Sequence, residues 1–401
     1  MKRLALLLVA VALLWPAAAS AQLTMQMSNG WSFSFAGNVN AFWVFTKRNS
    51  SGGADSNTAN SSVRTGLLPA FATFEAKGKE AGMNLSVHFG FAPQIQNAGV
   101  HDQFSVQSGA AIDMRQVYLT VGGQWGQILA GRELGVFSRQ NILNDMTLFG
   151  VGAVGIGAAG TGTGAQGGGT TLGRIGYGYL YPNFDAQLTY STRGGQPAQF
   201  SIGAFQPSVL KSGGYVFTTI PRLEAEFTYN QKSGKNKYMF WAGGIWQTTK
   251  NAVTGGNSAS SVGGTAGVRG DFSDLSVVVT AYIGKGVGTT LLFSGNEVAP
   301  SGTDLRKSDG GYAQVMYTVN KKTGLGVSYG FSRLKNASAG ETVPSGGNNT
   351  VRTQWTSATL GVYHQWTKSL KLVFEGTREQ QGIGAAAPAQ VDVSGGFMLF
   401  F

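Results

Sequence analysis

The chain has 401 residues, of which 61 are Gly and none is Cys; 12% are charged, and the formal net charge is +11. With no Cys there is no disulfide framework, and no thiol for catalysis or metal binding. The basic residues lie singly or in turns with no dense patch, so the charge does not point to nucleic acid. Length alone suggests two or three soluble domains, a prior that large barrels break.

At the N-terminus, Lys2 and Arg3 precede an apolar run at 4–14, and Ala19-Ser20-Ala21 has the A-x-A form of a cleavage site. The run is too short to span a bilayer. Residues 1–21 therefore read as a secretory signal, and residues 22–401 as one barrel domain exported through the periplasm. No later segment approaches roughly 18 uninterrupted apolar residues, so no transmembrane helix is expected.

Alternation with a period of two then recurs along the chain. A first strand is expected near 31–46, and 63–77 loses parity around Pro69. Residues 83–91 carry His88 on their polar face, and Phe184, Ala186, Leu188 and Tyr190 alternate with Asp185, Gln187 and Thr189. The stretch 195–217 has no clear period and reads as a long loop with some strand content. Leu223, Ala225, Phe227 and Tyr229 alternate with Arg222, Glu224, Glu226 and Thr228. Residues 238–247 are apolar on both faces, as in a subunit-contact strand, a plug-facing strand or a bulge. The alternation returns at 325–332 and 370–375. Charges on one face and bulky apolar groups on the other require water inside and hydrocarbon outside, or a half-buried sandwich sheet.

The connections separate those two architectures. Short ones fall at 77–82, 121–126, 181–184, 231–237, 271–274, 320–324 and 366–369, with longer Gly-, Ser-, Asn- and Thr-rich stretches between them. Such short–long alternation is expected when one rim faces the periplasm and the other the exterior. Seven short turns and eight long loops join sixteen strands, which enclose a lumen too wide for side chains to fill. Both termini then lie at the periplasmic rim, where the first strand can pair with 391–401. Trp31, Tyr179, Tyr181, Tyr317, Trp366, Phe400 and Phe401 fall near strand ends, as interfacial girdles require.

The last eleven residues, VDVSGGFMLFF, place Val391, Val393, Phe397, Leu399 and Phe401 on one face. A soluble protein rarely leaves such an edge open, because it invites aggregation. The run resembles the C-terminal signature of bacterial outer-membrane proteins. That likeness implies an assembly signal carried by Phe397, Leu399 and Phe401 and read by the barrel-assembly machinery, with Leu399 standing where an aromatic residue is commoner.

Residues 114–150 resemble the core segment of Gram-negative general (non-specific) porins: an Arg-led strand, a tight turn, and a strand ending in Gly-Arg before the third loop. The matching positions are Arg115, Tyr118, Trp125, Gly126, Gly131 and Arg132. The resemblance implies an all-β, 16-stranded antiparallel transmembrane barrel in the outer membrane, with a long third loop folded into the pore. It further implies a homotrimer that passes small hydrophilic solutes and ions by passive diffusion, with outer-membrane lipid and lipopolysaccharide around it. In that family acidic residues on the loop face basic residues on the wall.

This sequence departs from the family pattern. The third loop, 133–173, has only Glu133 and Asp145 as carboxylates, nothing charged from Met146 to Gly173, and ten Gly among residues 150–169. On the wall, Arg115 holds the matching position and Arg174 begins an expected strand whose parity points it inward; Arg64 and Arg269 are further candidates. The candidate constriction set is therefore Arg64, Arg115, Arg132, Glu133, Asp145, Arg174 and Arg269. Arginine stays charged at any working pH, and a wall of Arg opposite a near-neutral loop favours anions weakly. Three alternatives stay open: Arg side chains that only solvate the lumen or pair with Asp113, Glu224 and Glu226, a substrate-selective anion channel, and a non-conducting barrel plugged by the Gly-rich loop.

Enzyme chemistry is not expected. His88, His101 and His364 form no nucleophile–base or metal-ligand grouping, so no catalytic residue, metal or cofactor is assigned. The G-x-G-x-x-G match at 155–160 lacks the strand-to-helix context of a dinucleotide site. Lys47 and Arg48, read as part of the first long loop, suit lipopolysaccharide phosphates or plain solvation equally.

Overall fold

The computed structural model describes residues 23–28, 30–49, 59–95, 112–156, 170–210, 215–251, 256, 258–293, 296–299, 304–338, 340–341, 348, 350–383 and 387–401. The signal segment 1–21, His101 and most of 155–160 lie outside them. Sixteen wall strands close into an antiparallel barrel. The first is Ser32–Asn49, and the second is interrupted, as Ala59–Arg64 and Phe71–Glu80. Next come Met83–Pro93, Ile112–Gly123, Gly126–Leu134, Phe184–Ser191 and Ala198–Phe205. The eighth, again in two pieces, is Tyr215–Phe217 with Arg222–Ser233. Asn236–Asn251, Ser258–Phe272, Leu275–Lys285, Lys307–Val319, Thr323–Lys335, Val351–Gln365, Leu370–Gln381 and Ala389–Phe400 complete the wall. The last strand returns to the first, with Val391 opposite Lys47 and Phe400 opposite Asn38. A short strand, Leu23–Gln26, covers the edge of Ser32–Phe35 that the last strand leaves free.

Alternation decides which face meets which solvent. On the last strand Val391, Val393, Phe397 and Leu399 are exposed, while Asp392, Ser394 and Met398 are buried. The same division holds on Leu275–Lys285, where Val279 and Ile283 point out and Val278, Thr280 and Tyr282 point in. An apolar exterior with polar groups turned inward is stable only where hydrocarbon surrounds the wall. The sheet has no open edge because it closes on itself.

Short turns do link alternate strand pairs, and one of them differs from the sequence expectation. Residues 181–184 are not a hairpin turn; they are the return of a long inward segment into Phe184–Ser191. The corresponding turn lies at 192–197, so Ala198–Phe205 is a full wall strand inside the stretch read as loop. Its period was hidden because inward Gly203 and Phe205 sit where a polar residue would mark the face. At the Glu80–Met83 turn, Ala81 and Gly82 both have positive φ (46° and 78°), the geometry that matches strand twist in two-residue hairpins.

The parity break at Pro69 has a physical cause. Residues 65–70 leave the wall ladder and bond inward: Leu67 N–H donates to Gly150 O at 2.9 Å and Leu68 N–H to Leu148 O at 3.2 Å. Asn40 Nδ2 donates to Leu68 O at 3.0 Å, holding the detour against the first strand. The doubly apolar 238–247 is also explained. Phe240 faces out, while Trp241 and Ile245 are buried facing in, with Trp241 Nε1 donating to Asn141 Oδ1 at 2.7 Å.

Aromatic residues do cluster at the short-turn rim: Trp125 stacks on Tyr190 with centroids 6.4 Å apart, Tyr317 and Trp366 are exposed, and Phe35 meets Phe401 at 5.1 Å. Tyr179 and Tyr181 do not belong to it. Both lie on the inward segment, and Phe400 turns in against Phe149 at 6.2 Å.

Candidate pore lining

The segment between Gly126–Leu134 and Phe184–Ser191 carries a short helix, Arg139–Leu143, and a 3-10 turn, Met146–Phe149. It lies against inward-facing side chains, and the wall holds it chiefly through carboxylates that accept backbone N–H groups. Glu224 accepts from Phe137 N at 3.0 Å. Glu375 accepts from Val151 N and Gly152 N, both at 2.7 Å, and Glu379 from Val154 N at 2.6 Å. Gln314 accepts from Met146 N at 2.9 Å and donates to Asn144 O at 2.8 Å. A segment without its own sheet partners has orphan amides, and ionised oxygens are strong acceptors for them. Its Gly residues let the backbone approach: a Cβ on Gly150 would come within 2.1 Å of Glu375 Oε1.

Arg174 belongs to this segment and not to a wall strand, which corrects the sequence expectation. Its guanidinium donates to Ser357 O at 2.5 Å, Ser357 Oγ at 2.8 Å and Ser328 O at 2.7 Å. The side chain is fully buried, so Arg174 is a clamp to the wall. Arg64 is likewise buried and inward, donating to Thr170 O at 3.2 Å. Among the described residues, Asp145 forms no ion pair with a wall arginine. It caps the 3-10 turn through Thr147 N at 2.9 Å, accepts from Tyr179 Oη at 2.9 Å and from Arg174 N at 3.2 Å, and burial pushes its carboxyl above the usual range.

The other candidates sit differently. Arg115 lies at a register shift of Ile112–Gly123, with its Nε 2.7 Å from Asp113 and its guanidinium over the Phe184 ring at 5.7 Å. Arg269 is inward, 2.9 Å from Asp271 and 3.3 Å from Asn144 Oδ1. Glu133 accepts from Gln116 Nε2 and from Leu134 N, both at 2.7 Å. Arg132 is misplaced by the resemblance. It is exposed and shares the face of Ile128, opposite Val117 and Ala186, so it points out of the barrel. Lys47 and Arg48 are the end of the first strand and not loop, and they face opposite ways, Lys47 out and Arg48 in.

Exposure divides the inward charges into two groups. Arg174, Arg222, Glu224, Glu375, Glu379 and Asp392 are buried. Lys77 (47% exposed), Asp113 (47%), Arg139 (28%) and Asp271 (28%) reach water, as do Arg115, Asp185 and Arg269 more modestly. Each of these four cations has a carboxylate partner, with Lys77–Glu75 and Arg139–Glu226, both at 2.6 Å, completing the set. Lys79, Lys232 and Lys237 are also exposed on inward faces, without an ion pair among the described residues. No single signal in the chain marked Arg139 or Lys77 as lining residues, because parity identifies a face and not what that face meets.

Across the exterior mouth, a second cluster joins Phe137 and Leu180 to Leu210, Leu292, Phe293 and Val298 of the neighbouring long loops. Tyr181 N donates to Thr290 O at 2.8 Å. By contrast, among the described residues no hydrogen bond joins the inward segment to the strand Met83–Pro93, where His88 stacks on Tyr118 with centroids 4.7 Å apart.

The family profile described as Gram-negative porin matches residues 5–382. No curated protein matches the chain. Among solved structures, the outer membrane channel DcaP of Acinetobacter baumannii is similar at 13% identity with a TM-score of 0.63, covering 94% of this chain and 99% of that one. An anion-selective porin from Comamonas acidovorans is similar at 12% identity and a TM-score of 0.62, covering 92% and 100%. Salmonella typhi OmpF, in complex with daunomycin, is similar at 13% identity and 0.56, covering 94% and 100%.

Proposed function

We propose, for a chain that belongs to the Gram-negative porin family, a water-filled channel for passive diffusion of small hydrophilic solutes and ions with a weak preference for anions. Family and fold make the protein an outer-membrane channel and not an enzyme. The observation that carries the anion preference is the accessible inward charge. Lys77, Arg115, Arg139 and Arg269 are each matched by a carboxylate, whereas Lys79, Lys232 and Lys237, exposed on the inward faces of their strands near the short-turn rim, have no ion pair among the described residues. These lysines leave a small positive excess, which biases ions without creating a binding site. In this reading the inward segment narrows the lumen from the side of the later strands, and water follows the side of Met83–Pro93 and Ile112–Gly123. Arg64, Arg174 and Asp145 set the position of the segment, and Glu133 fixes where it leaves the wall.

The extent of that packing favours one competing reading, a barrel closed by the segment and its neighbouring loops. Single-channel recording in a planar bilayer separates the two. The proposal expects ohmic conductance with a reversal potential on the anion side under a salt gradient; absence of conductance establishes the closed barrel.

The homotrimer is part of the same proposal. Arg132 stands about 15 Å up the wall from Gly126, from six residues at ~3.3 Å on a strand tilted by ~40°. An outward Arg in lipid costs up to about 2–4 kcal/mol, a cost that a neighbouring subunit relieves. Arg132→Glu is expected to convert trimers to monomers on native gels, and an unchanged trimer would remove this face from the interface. Residues 1–21 as export signal, and Phe397, Leu399 and Phe401 as assembly signal, complete the proposal; loss of membrane insertion on Phe401 deletion tests the latter.

A further inference from the structure

Lys285 and Lys307 are direct cross-strand partners on the outward face of the barrel, and both are exposed. Two like charges directly opposite, with Cα atoms about 5 Å apart, destabilise a sheet pair unless an anion lies between them. Neither ammonium has an ion-pair partner among the described residues. The nearest outward carboxylate along the pair is Asp309, opposite Ile283, and it is already engaged: Arg333 Nε donates to its Oδ2 at 2.8 Å and Lys335 Nζ lies 2.8 Å from its Oδ1. Four cations and one carboxylate therefore share a patch on three adjacent strands.

Its height identifies the surroundings. Below Lys285 the outward column runs through Ile283, Ala281, Val279 and Val277 to Leu275, which lies opposite exposed Tyr317 at the short-turn rim. Ten residues at ~3.3 Å, on a strand tilted by ~40°, raise Lys285 by about 25 Å. That equals the roughly 25 Å apolar band of an outer-membrane barrel, so the patch begins where hydrocarbon ends at the exterior leaflet. Facing lipid and not the lumen, it is out of reach of solutes in the channel.

We infer that Lys285 and Lys307, supported by Arg333 and Lys335, bind a phosphate group of a lipopolysaccharide-type lipid headgroup in the exterior leaflet. A phosphate oxygen pair bridges two ammonium groups at this spacing, and the column below offers an apolar wall for acyl chains. The inference rests on the outer-membrane setting of the barrel and is independent of the ion preference.

The test uses the full-length protein in detergent with diphosphoryl lipid A as probe, retention being read by native mass spectrometry. K285Q/K307Q is expected to weaken retention about ten-fold, and K285R/K307R to keep it. K321Q/K322Q, which removes two charges from the opposite rim, is expected to leave it unchanged. Equal retention by K285Q/K307Q, or equal loss in K321Q/K322Q, overturns the site, the latter by reducing the effect to net charge. Heat-modifiable mobility on gels establishes that each variant is folded. Conductance of the same samples is expected to be unchanged in every variant, so a failure of the lipid site stays separable from a failure of the channel reading.

Discussion

The two sides of the lumen use the same residue types for different ends. On the side of Leu370–Gln381 and Val351–Gln365, inward charges are buried and spent on backbone groups: Glu375 and Glu379 accept loop amides, and Arg174 donates to Ser357 and Ser328. On the side of Phe71–Glu80 and Ile112–Gly123, Lys77–Glu75 and Arg115–Asp113 pair side chain to side chain and keep contact with water. The difference is one of partner. An inward charge that meets an unpaired backbone becomes an anchor, whereas one that meets only water and another side chain remains part of the electrostatic lining.

The largest effect should come from breaking the anchored side. Glu375→Ala removes the acceptor of two loop amides and of Tyr363 Oη. Each orphaned buried donor costs about 1–3 kcal/mol. Conductance is expected to rise and become noisy, and the temperature at which the folded band disappears on gels to fall. Arg174→Met follows, with a loss of roughly 2 kcal/mol or more from its charged hydrogen bonds. It is expected to act on thermal stability much more than on ion selectivity, and a selectivity shift without destabilisation would return Arg174 to the lining.

On the accessible side the effects are smaller and of another kind. Arg115→Gln and Arg269→Gln should move the reversal potential toward cation preference, with stability changed by no more than about 1 kcal/mol, as for exposed pairs. An unmoved reversal potential in both would remove them from the ion path. The smallest expected effect concerns pH at the exterior loops. A hydrogen bond from Arg306 holds the Glu341 carboxyl below its usual value, with Arg352 at 3.3 Å adding to it. A depressed carboxylate contributes stability above its unfolded pKa of about 4.3, and loses it as pH falls through the folded value. Proteolysis at 336–341 should therefore accelerate in acid below roughly pH 4, and Glu341→Gln should flatten that dependence.

Much of the barrel was legible in the chain because a strand that separates two solvents must alternate. Val391 to Phe401 and Leu223 to Tyr229 each declared their faces, and the turn count reached sixteen strands even with one turn assigned to 181–184 instead of 192–197. The period failed where inward positions were themselves apolar, as at Phe205, Trp241 and Ile245. Those residues face protein inside the barrel and not water, a fact of tertiary packing. Arg132 shows the converse: its parity with Ile128 already placed it outside, and the family likeness drew it into the constriction.

The sequence by itself determined the wall, its closure and which face of most strands meets lipid, because these follow from local period and turn length. Only the tertiary structure decided what each inward charge does. Glu375, Glu379 and Arg174 each lie some two hundred residues from their own partners, and no local pattern records which backbone group a carboxylate will meet. Arg174 looked like a strand residue beside Tyr177 and Tyr179; it became a clamp because the segment carrying it had amides and carbonyls to satisfy and found them on the opposite wall. For the same reason the outward pair Lys285 and Lys307, unremarkable in sequence, became adjacent only when their strands took register.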